Sequence, residues 1–256
     1  MQHNLLTINP KLESKKIVQF VKNTLKKQKI EKVVIGISGG IDSATSLYLL
    51  KNFLPLKNII VVTLPYFDNQ LEGVEELVLS INLPKNNLRI ISIKQVADVI
   101  INVLNIDDLD LVRKGNVMAR IRMIILYDIA KKENALVCGT ENRSESLLGY
   151  FTRFGDEASD IEPIINLYKT QVYQLAKYLN VPRQILTKKP SANLWKGQTD
   201  EGQFGFSYKE ADQILSLYFD KKLSLEQIKK QGFKNAEKII EFVKKNSFKH
   251  KVPYAL

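Results

Sequence analysis

The chain has 256 residues, 45% of them hydrophobic, which is enough to bury one sizeable core, and a single domain over residues 1–256 is expected. No run of about eighteen apolar residues occurs, which excludes a membrane-spanning helix, and a single cysteine, Cys138, excludes an internal disulfide and a CxxC metal or redox pair. The net charge of +11 sits at the two ends, because residues 1–32 hold eight Lys against two Glu, residues 207–256 eleven Lys against six acids, and the middle sums to zero.

Ile17, Val18, Val21 and Leu25 form one apolar stripe, which predicts an amphipathic helix over Leu12 to Leu25 that covers the first strand. That strand is the β-branched run Val33-Val34-Ile35-Gly36-Ile37, after which Ala44, Leu47 and Leu50 recur at helical spacing. Ser38, Gly39 and Gly40 form the turn between them. Glycine lets backbone bend tightly and bring N–H groups close to a ligand, and the first helical turn adds unpaired donors and a positive dipole end. The stretch is an anion site by construction. No Gly-Lys-Ser/Thr follows and the spaced glycines of a dinucleotide fingerprint are missing, so it is neither a P-loop nor that fingerprint. Asp42 and Ser43 enter the loop instead. A carboxylate beside phosphates needs a hard cation between them, which makes Asp42 a candidate Mg2+ ligand. Its competing role is a helix cap.

The six residues "SGGIDS" resemble the pyrophosphate loop of the N-type ATP-pyrophosphatase superfamily, whose members cleave ATP between its α and β phosphates to adenylate a substrate. The resemblance implies ATP bound along Gly36, Ile37, Ser38, Gly39, Gly40, Ile41, Asp42 and Ser43, and leaves the acceptor open.

A second buried strand is predicted over Asn58 to Thr63, and Leu64, Pro65 and Tyr66 after it are placed to meet adenine and ribose, with Tyr66 equally well a packed aromatic. A helix near Leu71 to Ile81, a third strand at Leu88 to Ile93, and helices before and after Arg113 follow. On the later helix Val117, Ile121, Ile124 and Ile125 share an apolar side, Asn116 and Arg120 share another face, and Arg122 points elsewhere. Arginines amid so much apolar surface need anionic partners, either a ligand or an acid such as Asp128. Ala135 to Thr140 is the fourth strand, and Glu145 lies five residues on, in the first turns of a short helix. Strands apolar throughout and alternating with helices predict a parallel sheet covered on both faces, with its ligand crevice at the carboxyl ends of the strands. Glu145 would there complete a Mg2+ site with Asp42.

After a strand-like piece comes a helix with Val172, Leu175, Ala176 and Leu179 inward. Lys169 stands at its amino end, where a cation opposes the dipole and so suggests a ligand. "KKPSANLWKGQTDEGQFGFSY" has no periodicity and reads as a lid that excludes water from a hydrolysable intermediate. Three amphipathic helices over Tyr208 to Asn246 carry Leu215, Leu217, Ile228, Ile239 and Val243 as core candidates.

Further motifs in the same order resemble the NAD synthetases: "KGNVMARIRM", Gly139-Thr140 with Glu145, Gly149, Tyr150, Thr152, Arg153, Gly155 and Asp156, then "PSANLWKGQTDE", then His250-Lys251. His3 has no such match. The resemblance implies a Rossmann-like, adenine nucleotide alpha hydrolase-like α/β fold with a helical C-terminal extension. It implies that Thr140, Lys169 and Ser191 contact ATP alongside Leu64, and that Asp42 and Glu145 hold Mg2+. It assigns deamido-NAD to Arg120, Arg153, Asp160, His250 and Lys251, with Asn116 on the face of Arg120. Arg153 stands where many members have lysine, which keeps the charge and changes the contact geometry. The activity implied is a carbon–nitrogen ligation by a homodimer, in which ammonia and ATP convert deamido-NAD to NAD through an acyl adenylate, releasing AMP and pyrophosphate. A glutamine-dependent version would need a fused glutaminase domain and a nucleophilic cysteine, and Cys138 lies on a buried strand.

Two rivals share the loop. A tRNA-modifying adenylase would carry a contiguous basic face, which the neutral middle of the chain lacks, so nucleic acid is not expected as a partner. A nucleotide sensor would need no pair of metal carboxylates. The N-terminus lacks the order of a secretory signal and Cys138 has no partner, so a cytoplasmic protein with no membrane partner is expected.

Overall fold

The computed structural model describes residues 6–71 and 73–254, so His3 lies outside the described residues. Helix α1 (Pro10–Gln28) begins where the Asn9 side chain accepts the Leu12 N–H and ends at Lys29, which takes a left-handed conformation. There follow β1 (Lys32–Gly36), α2 (Ile41–Lys51), β2 (Ile59–Thr63), α3 (Val74–Ser80), β3 (Leu88–Ile90), α4 (Lys94–Val103), α5 (Leu111–Glu133) and β4 (Ala135–Cys138). Four helices follow the sheet: α6 (Arg143–Leu148), α7 (Lys169–Tyr178), α8 (Arg183–Thr187) and α9 (Asp200–Phe204). The chain closes with α10 (Tyr208–Leu215), α11 (Leu225–Lys230) and α12 (Ala236–Asn246).

All strand pairs are parallel, in the order β3-β2-β1-β4. Successive strand residues point to opposite faces, and both faces are covered. Val33, Ile35, Ile59 and Val61 pack with Leu25 of α1, Leu47 of α2 and Val172 of α7. Val34, Ile60, Val62 and Val137 pack with Ala97 of α4 and Ile121 of α5. This is why the strands read as continuous apolar runs. Leu215, Leu217, Ile228, Ile239 and Val243 fall in a separate cluster built by α10, α11 and α12. Because β1 is flanked by β2 on one side and β4 on the other, connections leave it in opposite directions and open a crevice beyond its carboxyl end.

The structure corrects several boundaries. The third strand stops at Ile90, and Ile90 and Ile91 are 51% and 38% exposed, because β3 is the sheet edge and has no outer neighbour. The fourth strand stops at Cys138, since the Gly139 N–H turns to the Ile161 carbonyl. The strand-like piece after Asp160 is a single parallel bridge between Cys138 and Ile161. Arg113 lies inside α5 rather than between two helices, and Ile124 of the expected apolar side is exposed. Within the stretch expected to form a lid, Asp200–Phe204 is helical, as α9, with Thr199 accepting the Gly202 N–H as its cap.

Candidate active site

A cavity of about 690 Å3 opens at the carboxyl ends of β1 and β4. Gly36, Ile37, Ser38, Gly40, Ile41, Asp42 and Ser43 line it. Gly39 beside them takes φ +73°, a conformation that an L side chain strains. Gly40 is the cap residue of α2 and makes no side-chain cap bond, so the first amides of α2 have no side-chain acceptor. The Gly40 N–H donates to Ser38 Oγ at 3.3 Å and Ser43 Oγ donates to the Gly40 carbonyl at 3.1 Å, which fixes the curve of the loop.

Asp42 does not cap its helix. Its Oδ1 accepts from Asn142 Nδ2 at 3.0 Å and its Oδ2 accepts from Lys169 Nζ at 2.6 Å. Glu145 reaches the same point from α6 through a reciprocal cap. Asn142 Oδ1 accepts the Glu145 N–H at 3.0 Å, and Glu145 Oε2 accepts the Asn142 N–H at 3.4 Å. The other oxygen, Oε1, accepts from Lys169 Nζ at 3.0 Å. One ammonium, its side chain 3% exposed, thus holds both acids. Burial pulls the Lys169 pKa down, but the charges of Asp42, Glu145 and Asp200 outweigh it and hold the amine protonated. Burial lifts the Glu145 carboxyl above the usual range, against the pull of Lys169. The backbone of Lys169 is anchored as well, its N–H donating to Ser144 Oγ at 2.8 Å.

Two carboxylates within reach of one cation suit a hard ion such as Mg2+, which takes one or two protein acids and fills its shell with phosphate and water. Among the described residues no group of three or more His, Cys, Asp or Glu could hold an ion. The Asp42 and Glu145 carboxylates instead converge on the Lys169 ammonium.

Leu64, Asn116, Thr140 and Ser191 also line the cavity. The Ser191 hydroxyl is engaged within the lid, donating to the Gln198 carbonyl at 2.7 Å and accepting the Asn193 N–H at 3.0 Å. Asn116 Oδ1 accepts from Thr152 Oγ1 at 2.8 Å. Arg120, Arg153, Asp160, His250 and Lys251 are not in the wall. Arg120 is exposed and donates to the Arg153 carbonyl at 3.2 and 3.3 Å. Arg153 lies over the Phe248 ring at 5.5 Å, and His250 sits edge-on to Phe151 at 5.5 Å. Asp160 Oδ2 accepts the Val137 N–H at 2.7 Å, and Lys251 is exposed. Tyr66 also stands outside the wall, its hydroxyl donating to Asp98 at 2.6 Å.

Sequence reasoning missed three residues here. Asn142 bridges the two acids, and its N-x-x-E spacing with Glu145 is the readable signal. Asp200 lines the cavity at the first position of α9, behind the capping residue Thr199. Arg122 also lines it, its Nε donating to the Leu64 carbonyl at 3.0 Å, and burial lowers its pKa to about 10. Its separation by two from Arg120 places it on another face, and it is Arg122, not Arg120, that reaches the cavity wall.

The sequence profile of the NAD synthase family matches residues 13–253. An NH(3)-dependent NAD(+) synthetase of Fusobacterium nucleatum is 38% identical over 98% of this chain and 97% of its own length. The one from Pyrococcus furiosus is 44% identical over 90% of this chain and 86% of its own. Among solved structures, an NMN synthetase from Francisella tularensis superposes with TM-score 0.83 at 36% identity, covering 98% of this chain and 99% of that one. An NH3-dependent NAD synthetase from Campylobacter jejuni gives TM-score 0.79 at 32% identity, covering 97% and 100%. With a glycine-bent loop at the switch point of its parallel sheet and a profile match over residues 13–253, the chain belongs to the NAD synthase family.

Proposed function

We propose that this chain, as a single catalytic domain, joins ammonia to the nicotinate carboxylate of deamido-NAD and cleaves ATP to do so, the last step of NAD biosynthesis. A carboxylate is a poor electrophile, so its oxygen first attacks the α-phosphorus of ATP, giving an acyl adenylate and pyrophosphate. Ammonia then attacks the activated carbonyl and AMP departs. The protein's share is positioning and charge balance. The α2 amides and the Ser38 to Ser43 loop hold phosphate, with Leu64, Thr140 and Ser191 on the rest of ATP. Lys169 presents a fixed positive charge to the departing pyrophosphate. Asp42 and Glu145 would hold Mg2+, which supplies further neutralisation of phosphate charge when bound. Asn116, Arg120, Arg153, Asp160, His250 and Lys251 take deamido-NAD.

The observation that carries this reading is the convergence of Lys169, Asp42 and Glu145 beside uncapped helix amides. A homodimer is part of it. Val96, Val99 and Val103 form an exposed apolar stripe on α4, with Val112 and Ile124 of α5 exposed as well, and a second copy would cover such surface. The free, buried Cys138 accords with a cytoplasmic setting. A second reading takes nicotinate mononucleotide as the acceptor, favoured by the likeness to the Francisella protein. Incubation with ATP, Mg2+ and ammonium, with either acceptor, and detection of products by mass decides. NAD from deamido-NAD supports the first reading, NMN alone the second, and neither product refutes both.

A further inference from the structure

The first part of the stretch read as a lid, residues 188–199, is tied at its base to one buried residue. Asp200 is 3% exposed. Its N–H donates to the Pro190 carbonyl at 3.0 Å, and its Oδ1 accepts the Ala192 N–H at 3.1 Å. The same carboxylate accepts from the Tyr150 hydroxyl at 3.2 Å and, through Oδ2, from the Tyr208 hydroxyl at 3.1 Å. Tyr208 in turn faces the phosphate site. Its ring centroid lies 5.1 Å from Lys169 Nζ, and its hydroxyl lies 3.5 Å from Glu145 Oε1. Two side chains, Asp200 and Tyr208, therefore join the lid backbone to the ammonium and carboxylate below it.

We infer that Asp200 is a positioning residue that couples the closed lid to the placement of Lys169 and Glu145. This rests on the reaction proposed above. A buried carboxylate is tolerated only while its hydrogen bonds are made. If the lid lifts, Asp200 loses the Ala192 donor and stands as a less satisfied charge beside Asp42 and Glu145, so the lid-down form is favoured. The lid keeps water from the acyl adenylate. Where water enters, its oxygen bonds to the carbonyl carbon and the bond from that carbon to the phosphate oxygen breaks. AMP leaves with the electron pair, deamido-NAD is regenerated and the protons pass to solvent. ATP is then consumed without NAD being made.

The test uses the full chain with ATP, Mg2+, deamido-NAD and ammonium, and compares Asp200→Asn, Ala192→Pro and Tyr208→Phe. It reads AMP released per NAD formed, and acrylamide quenching of Trp195, the chain's single tryptophan, which lies in the lid. The parent releases one AMP per NAD. Asp200→Asn raises that ratio, lowers kcat for NAD by about tenfold and exposes Trp195. Ala192→Pro removes the lid's donor and leaves Asp200 in place, so it gives the same excess AMP even if Asp200→Asn does not fold. Tyr208→Phe keeps the lid tied, so it lowers kcat with the ratio unchanged. Combined with Asp200→Asn, it adds less to the kcat loss than it costs alone. A ratio that stays at one in both lid variants, unchanged Trp195 quenching, or fully additive kcat losses overturns the inference. A parent that makes no NAD refutes the proposed reaction instead, and Trp195 quenching with ATP and Mg2+ still judges the tie to Asp200.

Discussion

Asp42 has two partners, Asn142 and Lys169, and Lys169 has a second acid in Glu145. Removing one charge at Asp42 therefore leaves the buried ammonium balanced. Asp42→Asn is expected to keep its melting temperature within a few degrees of the parent while AMP release falls to background, as calorimetry and a pyrophosphate assay would check. Glu141 behaves differently. Its Oε1 has no hydrogen-bond partner, and burial, with Glu145 and Glu162 adding, pushes its pKa from 4.5 up to about 9. The folded chain thus holds a proton there that the unfolded chain has released above pH 4.5, so its contribution to stability falls as pH rises between 4.5 and 9. Glu141→Gln is expected to melt higher than the parent at pH 9 and to lose that advantage near pH 4; equal melting curves at both pH values would contradict the shift. At this scale the meeting of Asp42 with Glu145 was legible, because both follow strands whose carboxyl ends converge in a parallel sheet. Arg122 and Asp200 were not, because their burial comes from elements distant in sequence.

The short helix α6 owes its start to the Asn142 and Glu145 exchange, and the same Asn142 holds Asp42. Asn142→Ala costs about 1 kcal/mol of cap stability and also removes one of the two partners of Asp42, leaving Lys169. The expected result is a lower denaturation midpoint together with a lower kcat, and a stability loss with kcat intact would separate cap from site. The strand, turn and helix around residues 33–50 were readable from local signals alone: β-branched residues, glycine at the bend, helical spacing after it. The stretch 188–208 reads as aperiodic, yet its short helix could have been found from Thr199 followed by Asp200 and Glu201. The length of β3 was not, since nothing in Leu88 to Ile93 reports that the strand is an edge.

For the molecule as a whole, apolar strands separated by helices dictated the parallel sheet, and strand order then placed the crevice. Oligomeric state is the property the hydrophobic pattern left unread, since Val96, Val99 and Val103 look like core residues until the fold leaves them outside. Val99→Glu is expected to convert a dimer to a monomer in sedimentation and, with Arg120 and Asp160 exposed, to raise KM for deamido-NAD. A parent that sediments as a monomer would refute the homodimer.

The partners of Asp42 are far from it along the chain: Asn142 lies 100 residues away and Lys169 lies 127. Contacts of such span close late, after local helices and hairpin-scale segments have formed. A polypeptide that has made only its first strand and glycine bend leaves Asp42 without either partner, and the set is complete only once the chain has folded back as far as Lys169. In refolding, ATP binding followed by a fluorescent analogue is expected to lag behind recovery of the far-UV signal.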